Sequence, residues 1–267
     1  MSGYLAFFKI RLIAGMQYRA AAWAGIATQF FFGLMYMMIF QAFYSSSVVA
    51  QPIAWPQLAS YIWLQQSFLA IWALWAQDGE LLSSITNGLV AYELARPYDI
   101  YSFWIVRLAA TRLSNTALRF SPIILAAFLM PEPFRMQLPA SPVSFLMFLL
   151  SLALSLAIVC AISMFIYCLT FITLTPSGAR LIVGIFGDFL AGNILPVPLM
   201  PTWLQRINNF LPFRYTSDLP FRVYSGNISG ADAWFQISVQ AIWIIGLCAL
   251  GKLAFFRVTK RIVTQGG

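Results

Sequence analysis

Six apolar blocks, most of them about as long as a bilayer is thick, constrain the fold of this chain more than any other feature. The first covers about 24 residues, which as a helix span roughly 36 Å, against a hydrocarbon core of roughly 30 Å. Charged residues make up only 9% of the chain, too few to cover a soluble domain of this size. We therefore expect an all-α integral membrane protein with six transmembrane helices. The predicted spans are 20–43, 58–76, 113–130, 143–172, 181–195 and 234–256.

The basic residues orient these predicted spans. An even number of spans puts both termini on one side, and twelve Lys and Arg residues lie on that side against four on the other. Because basic loops are retained in the cytoplasm, we expect the N- and C-termini to be cytoplasmic. The first group is Lys9, Arg11, Arg19, Arg96, Arg107, Arg112, Arg119, Arg180, Lys252, Arg257, Lys260 and Arg261; the second is Arg135, Arg206, Arg214 and Arg222.

Several kinds of function are disfavoured by composition. The chain has no histidine, and its three cysteines, Cys160, Cys168 and Cys248, all lie inside predicted spans, so we expect no metal site and no disulfide framework. No phosphate-binding loop of the form G-x-x-x-x-G-K-[ST] is present. Topology and attraction to anionic membrane lipid explain the net charge of +8, so we expect no nucleic-acid partner.

The connection between the second and third spans contains an amphipathic segment. Leu82, Ile85 and Leu89 recur at helical spacing, and Glu80 suits the positive end of a short helix. Gly88 is placed to end a first helical turn, and Pro97 stops any helix that reaches it. Two interpretations remain open: a helix lying on lipid headgroups, or a docking helix whose exposed Leu and Ile side chains contact a soluble partner.

The connection after the fifth span is too apolar for a solvated loop, and its prolines forbid one continuous helix. Trp203, Leu204 and Ile207 share a helical face with Phe210. We expect a re-entrant helical hairpin over 195–215 in the outer leaflet, because an extended chain in lipid leaves its backbone groups unpaired. We then expect three arginine side chains to extend outward to the lipid headgroups, those of Arg206, Arg214 and Arg222.

Polar residues inside predicted spans mark a candidate substrate path. A carboxylate inside a membrane span is energetically costly, so Asp188 in the fifth span is a functional candidate. The alternative interpretations are that Asp188 pairs with Arg112 or Arg119, or that it lies near the end of the span. Glutamines in spans either line a polar path or bond between helices. The candidate path residues are Gln29, Phe30, Gln65, Asp188 and Asn193.

Taken together, the order of these elements resembles that of type-2 ABC exporter (ABC-2) permeases, in particular the small single-domain branch related to drug exporters. The resemblance covers essentially the whole chain. The segments that carry it are the loop with Gly88 and Arg96-Pro97, then Gly192-x-x-Leu195-Pro196, Met200-Pro201-x-x-Leu204, Leu211-Pro212-Phe213 and Tyr224-x-Gly226.

The resemblance implies a single permease domain over 1–267 that exports an amphiphilic or lipid-like substrate or drug across a bacterial plasma membrane. It implies two partners: separate cytoplasmic ATP-binding subunits, which hold ATP and Mg, and a second permease, identical or homologous. The implied coupling residues are Glu80, Leu82, Ile85, Gly88, Leu89, Arg96 and Pro97. The implied hairpin residues are Pro196, Pro201, Trp203, Leu204 and Pro212.

Two other functions are compatible with a polytopic chain. One is an ion-coupled secondary transporter that uses Asp188, although no pair of similar halves with matching broken helices is present. The other is an intramembrane enzyme, although the chain lacks histidine and a G-x-S-x-G motif.

Overall fold

The computed structural model describes residues 2–17, 19–46 and 51–260, and the regular secondary structure in these ranges is helical. Arg261, one of the basic residues used above for orientation, lies outside them. Short 3-10 turns at Val197–Leu199 and Phe213–Tyr215 flank the tenth helix. In chain order the helices are α1 (Ser2–Gly15), α2 (Arg19–Ser46), α3 (Trp55–Ser67), α4 (Leu69–Trp72), α5 (Gly79–Thr86), α6 (Val90–Leu94), α7 (Ile100–Leu129), α8 (Pro142–Thr173), α9 (Pro176–Leu190), α10 (Thr202–Asn209), α11 (Asp218–Tyr224) and α12 (Gly230–Thr259).

Three helices in the described ranges, α2, α8 and α12, are long and apolar enough to cross a membrane. The prediction of an all-helical, multi-pass membrane protein is therefore confirmed. Helix α7 is also 30 residues long, but it carries Arg107, Arg112 and Arg119. The number of six spans stays a prediction.

The second and fifth apolar blocks differ from the continuous spans predicted for them. The helix of the second block is interrupted at Phe68 and ends at Trp72, so one continuous helix over 58–76 is wrong. In the fifth block, α9 begins before the predicted start and ends at Leu190, and Gly192 with a φ of 85° then redirects the chain. Apolar composition predicts that these segments are buried, but it does not predict where the backbone hydrogen bonds of each helix end.

The third block is longer than predicted, because α7 begins at Ile100 and not at 113. Its first turns pack against α1: the Phe7 and Phe103 rings stack with centroids 3.9 Å apart, and Gly15 lies against Ser114. Arg107 and Arg112 interrupt the apolar residues of this early part, so apolar character alone did not predict its helix.

The two ends of the helix bundle have separate apolar cores. At one, which we call the α5 end, α5 packs on the ends of α7, α8 and α12, and Trp104 contacts Tyr167 and Phe255. At the other, the α11 end, α11 packs between α3 and α8. Every candidate functional residue is positioned relative to these two cores.

Candidate functional site

A cavity of about 580 Å³ lies between α2 and α9, with α3 and α4 behind it. Its wall is mainly aromatic and aliphatic, with a small number of polar side chains, which is the usual composition of a site for an amphiphilic ligand. The polar lining comprises Gln65, Gln66, Ser177, Arg180, Asp188 and Asn193, and the aromatic lining comprises Phe32, Tyr36, Trp72 and Trp75.

Three of the five predicted path residues, Gln65, Asp188 and Asn193, are brought together at this cavity. The other two are not part of its lining. Gln29 is buried, and Phe30 stacks on Trp63 with centroids 5.3 Å apart. Both side chains lie on a face of α2 that packs inside the protein, so neither lines this cavity, and their part in a substrate path stays a prediction.

The polar wall is held by hydrogen bonds to a non-helical stretch of backbone. Gln65 Nε2 donates to the Asn193 carbonyl oxygen at 2.7 Å, and the Ser217 hydroxyl donates to Asn193 Oδ1 at 2.6 Å. The Tyr61 hydroxyl donates to the Gly192 carbonyl oxygen at 3.1 Å. The polar groups of this irregular backbone are thus met inside the protein, as a membrane protein requires.

Asp188 is paired with neither Arg112 nor Arg119, so both predicted ion pairs are wrong. It lies two residues from the end of α9, as the remaining alternative predicted. Its Oδ1 is buried without a hydrogen-bond partner among the described residues, and so is Asn193 Nδ2.

Arg112 instead stabilises the broken second block. Its guanidinium donates to the carbonyl oxygens of Ala70 at 3.0 Å, Ile71 at 3.3 Å, Ala73 at 2.9 Å and Ala76 at 3.0 Å. These carbonyls lie at the end of α4 and just beyond it, where helical partners are missing. The terminal nitrogens of this buried cation therefore bond main-chain carbonyls, and among the described residues Arg112 forms no ion pair and its Nε has no hydrogen-bond partner.

Helix α5 is anchored at its N-terminus by charged groups from two other helices. Asp78 Oδ1 accepts from the Glu80 and Leu81 N–H groups as an N-cap. Arg107 of α7 bonds both Asp78, at 2.6 Å from Nε, and Glu80, and Arg11 of α1 lies 3.5 Å from Glu80. The helix therefore cannot shift without moving its neighbours.

The apolar side of α5 faces inward. Leu82 and Ile85 are only 4% and 3% exposed, because this side covers the ends of α7 and α8. The prediction that Leu82 and Ile85 form an exposed docking face is therefore wrong. Gly88, with a φ of 74°, ends the segment as predicted and starts a second short helix.

The exposed apolar groups of this region come after Gly88. Leu89 is 53% exposed and Tyr92 is 75% exposed, and Arg96 and Pro97 are exposed close by in sequence. We call these four residues the α6 surface. Sequence reasoning included three of them and missed Tyr92, whose place three residues after Leu89 is the signal that finds it.

A family model described as "ABC-2 family transporter protein" matches residues 30–266. The chain belongs to the ABC-2 transporter family. No curated protein and no solved structure matches it. The predicted resemblance is therefore confirmed, and an ABC-2 permease is the transmembrane component of an ABC transporter, which associates with ATP-binding subunits.

The predicted hairpin of this ABC-2 permease is helical in two parts. Pro201 precedes α10, and the turn that includes Pro212 separates α10 from α11. Trp203 and Phe210 are exposed, and Leu204 is half-buried. The location of this segment in the outer leaflet stays a prediction.

Two of the three arginines near the hairpin do not extend outward. Arg214 is buried, bonds Asn209 and lies over the Tyr215 ring, and Arg222 pairs with Asp218 at 3.3 Å. Only Arg206 is exposed as predicted. Partners on the same stretch of chain satisfy the other two.

Sequence reasoning missed the aromatic part of the permease cavity. Phe32 and Tyr36 lie four residues apart on α2, and this spacing was the available signal for a shared face. Trp72 and Trp75 line the cavity as well, at the break in the second block.

Proposed function

We propose that this chain is the permease subunit of an ATP-driven exporter that moves an amphiphilic or lipid-like substrate through the cavity between α2 and α9. The observation that carries the proposal is the cavity itself, in which a few polar groups stand at the back of an aromatic wall. Such a lining suits a molecule with one polar end and a large apolar body.

The cavity is open between its flanking helices, and both helices expose apolar side chains beside the opening. On α9, Leu181, Ile185 and Phe186 are exposed, and on α2 so are Phe31 and Met38. A second permease, identical or homologous, would cover these side chains and complete the wall of the path. This arrangement places α2 and α9 of each subunit at the centre of the pair.

The α6 surface is the proposed contact with the ATP-binding subunit. It is exposed, it combines apolar and cationic groups, and it is joined to α5, which Arg107 and Arg11 anchor to α7 and α1. A displacement of the α6 surface by the ATP-binding subunit is therefore transmitted to the long helices. The proposal requires this surface to face the cytoplasm, where ATP and Mg are available to the partner.

Capture of the full chain from its native membranes in mild detergent tests this contact. We expect an ATP-hydrolysing subunit to be captured with the chain. The double substitution Leu89→Asp and Tyr92→Asp should remove that subunit while the permease stays in the membrane, because two charges then face an apolar site on the partner.

The matched control is Leu138→Asp, since Leu138 is also exposed but lies in the connection between α7 and α8 at the α11 end. It should leave the captured complex intact. Full retention of the ATP-hydrolysing subunit by the doubly substituted chain would contradict the proposed contact.

Ion coupling at Asp188 is a second candidate function, and the unpartnered Oδ1 at the cavity favours it. In that case Asp188→Asn would abolish transport driven by a proton or sodium gradient. In an ATP-driven exporter, the same substitution should leave transport dependent on ATP and on no ion gradient. Measuring uptake into vesicles with either energy source separates the two functions.

A further inference from the structure

Residues 73–78, which we call the strap, connect the cavity to α5 without helical structure. At one end the strap follows α4, whose Trp72 lines the cavity, and Trp75 of the strap lines it too. At the other end, Asp78 is the N-cap of α5. Any displacement of α5 therefore acts directly on the strap.

One side of the strap is bonded to α7 and α8. Arg112 of α7 holds the carbonyls of Ala73 and Ala76, and the Tyr167 hydroxyl of α8 accepts from the Asp78 N–H at 3.1 Å. Within the strap, Gln77 Nε2 donates to the Leu74 carbonyl at 2.6 Å. A guanidinium can serve several carbonyls at once because its five N–H donors form a rigid fork, which a lysine ammonium lacks.

The other side of the strap is in close contact with α9, the helix that flanks the cavity. A Cβ added to Gly184 would lie 3.2 Å from the Trp75 Cβ, and one added to Gly187 would lie 2.6 Å from Leu74 Cδ1. These glycines let α9 approach the strap more closely than any other residue would.

We propose that the strap transmits movement of α5 to α9, that the strap and α9 move as one body, and that Arg112 is the positioning residue that keeps the strap in shape. The inference rests on the proposed function, since it takes an ATP-binding subunit to move α5. Because the strap is bonded on one side and closely packed on the other, a shift at Asp78 is passed to α9 and alters the width of the cavity.

The test uses the captured complex with a single reactive cysteine in the cavity. Tyr36→Cys places it on α2, on the opposite wall from α9, in a chain whose Cys160, Cys168 and Cys248 are replaced by alanine. Alkylation at position 36 by N-ethylmaleimide is measured by peptide mass spectrometry with and without ATP and Mg. We expect ATP to change this rate several-fold.

Two substitutions should abolish that change while ATP hydrolysis continues. Arg112→Lys keeps the charge but cannot bond all the carbonyls, and Gly184→Leu forces α9 away from the strap. Their matched controls are Arg119→Lys on the same helix and Gly178→Leu, since nothing lies within 4 Å of a Cβ at Gly178. Both controls should keep the ATP-dependent change.

The inference is overturned if either Arg112→Lys or Gly184→Leu keeps the full change, or if the parent complex hydrolyses ATP with no change at position 36. A captured chain without ATP hydrolysis would instead contradict the proposed function. These failures are distinguishable, because hydrolysis and alkylation are read separately.

A disulfide between the strap and α9 provides a second test if those variants do not fold. Trp75→Cys with Gly184→Cys places two sulfur-bearing Cβ atoms about as close as a disulfide needs. If the strap and α9 move together, the oxidised and reduced forms should show the same ATP-dependent change at position 36. Loss of the change on oxidation and recovery on reduction would show that the two slide past each other, and would overturn the inference.

Discussion

Helix α8 and the second apolar block are both rich in apolar residues, yet only α8 is continuous. Helix α8 runs unbroken through 32 residues, and its hydroxyl groups bond its own carbonyls, as Ser155 does with Ser151 and Thr170 with Ile166. The second block breaks at Phe68 and ends at Trp72. The difference lies in the donors nearby: an arginine of another helix replaces the missing helical bonds.

The comparison shows what an apolar run determines in a membrane protein. It determines that the segment is removed from water, and it leaves open which groups satisfy its backbone. Where a neighbouring helix supplies donors, a break is tolerated and the freed segment can shape a cavity.

Arg112→Leu should have the largest effect on stability. Arg112 is 4% exposed, and its removal leaves four carbonyls without their donor, each at a cost of about 1–3 kcal/mol when buried. We expect the free energy of unfolding in detergent to fall by at least about 3 kcal/mol. Chemical unfolding followed by tryptophan fluorescence measures it. Arg119→Leu is the control. An equal loss of unfolding free energy in that variant would contradict a specific role for the contacts between Arg112 and the carbonyls.

Tyr61→Phe should have an intermediate effect, because it leaves the buried Gly192 carbonyl without its donor, at about 1–3 kcal/mol. The matched change in α8 is Thr170→Val, which keeps the side-chain shape and removes a hydroxyl that bonds a carbonyl of its own helix. We expect the α8 variant to lose clearly less free energy of unfolding. Equal losses would mean that irregular backbone is no more dependent on side-chain donors than a helix is.

The sequence was sufficient to predict the class of protein, its family and three of the polar residues of the cavity. Gln65, Asp188 and Asn193 were found because polar groups in apolar blocks are costly and few. The exposure of Ile85 was predicted wrongly, since it depends on which neighbour covers the helix face, and the burial of Gln29 depends on its neighbours in the same way. The strap was missed entirely. No local pattern at 73–78 indicates that an arginine 36 residues beyond Ala76 will bond its carbonyls.

The smallest effect on the free energy of unfolding is expected at the α5 end, where an ion pair between two helices is exposed to solvent. Lys252 Nζ donates to Asp99 Oδ2 at 2.8 Å. Burial raises the pKa of the Asp99 carboxyl, but the hydrogen bonds from Lys252 and Ser102 outweigh this and leave the pKa below its ordinary value. Asp99→Asn should cost less than about 1 kcal/mol near neutral pH, as exposed pairs generally do.

The pH dependence of that small effect follows from its sign. A carboxyl whose pKa is lower in the folded state contributes stability above its unfolded pKa and loses it as the pH falls through the folded value. The difference between Asp99→Asn and the parent chain should therefore shrink in acid. A difference that grows in acid would contradict the direction of the pKa shift.

Transport by the captured complex, reconstituted in vesicles, tests the central claim most directly. The probes are rhodamine 6G and a phospholipid with a fluorescent headgroup, each measured with ATP and Mg and, separately, with an imposed proton gradient. We predict movement of at least one probe that requires ATP and is unaffected by the gradient. Movement driven by the gradient without ATP, or no ATP-dependent movement of either probe, would contradict the account.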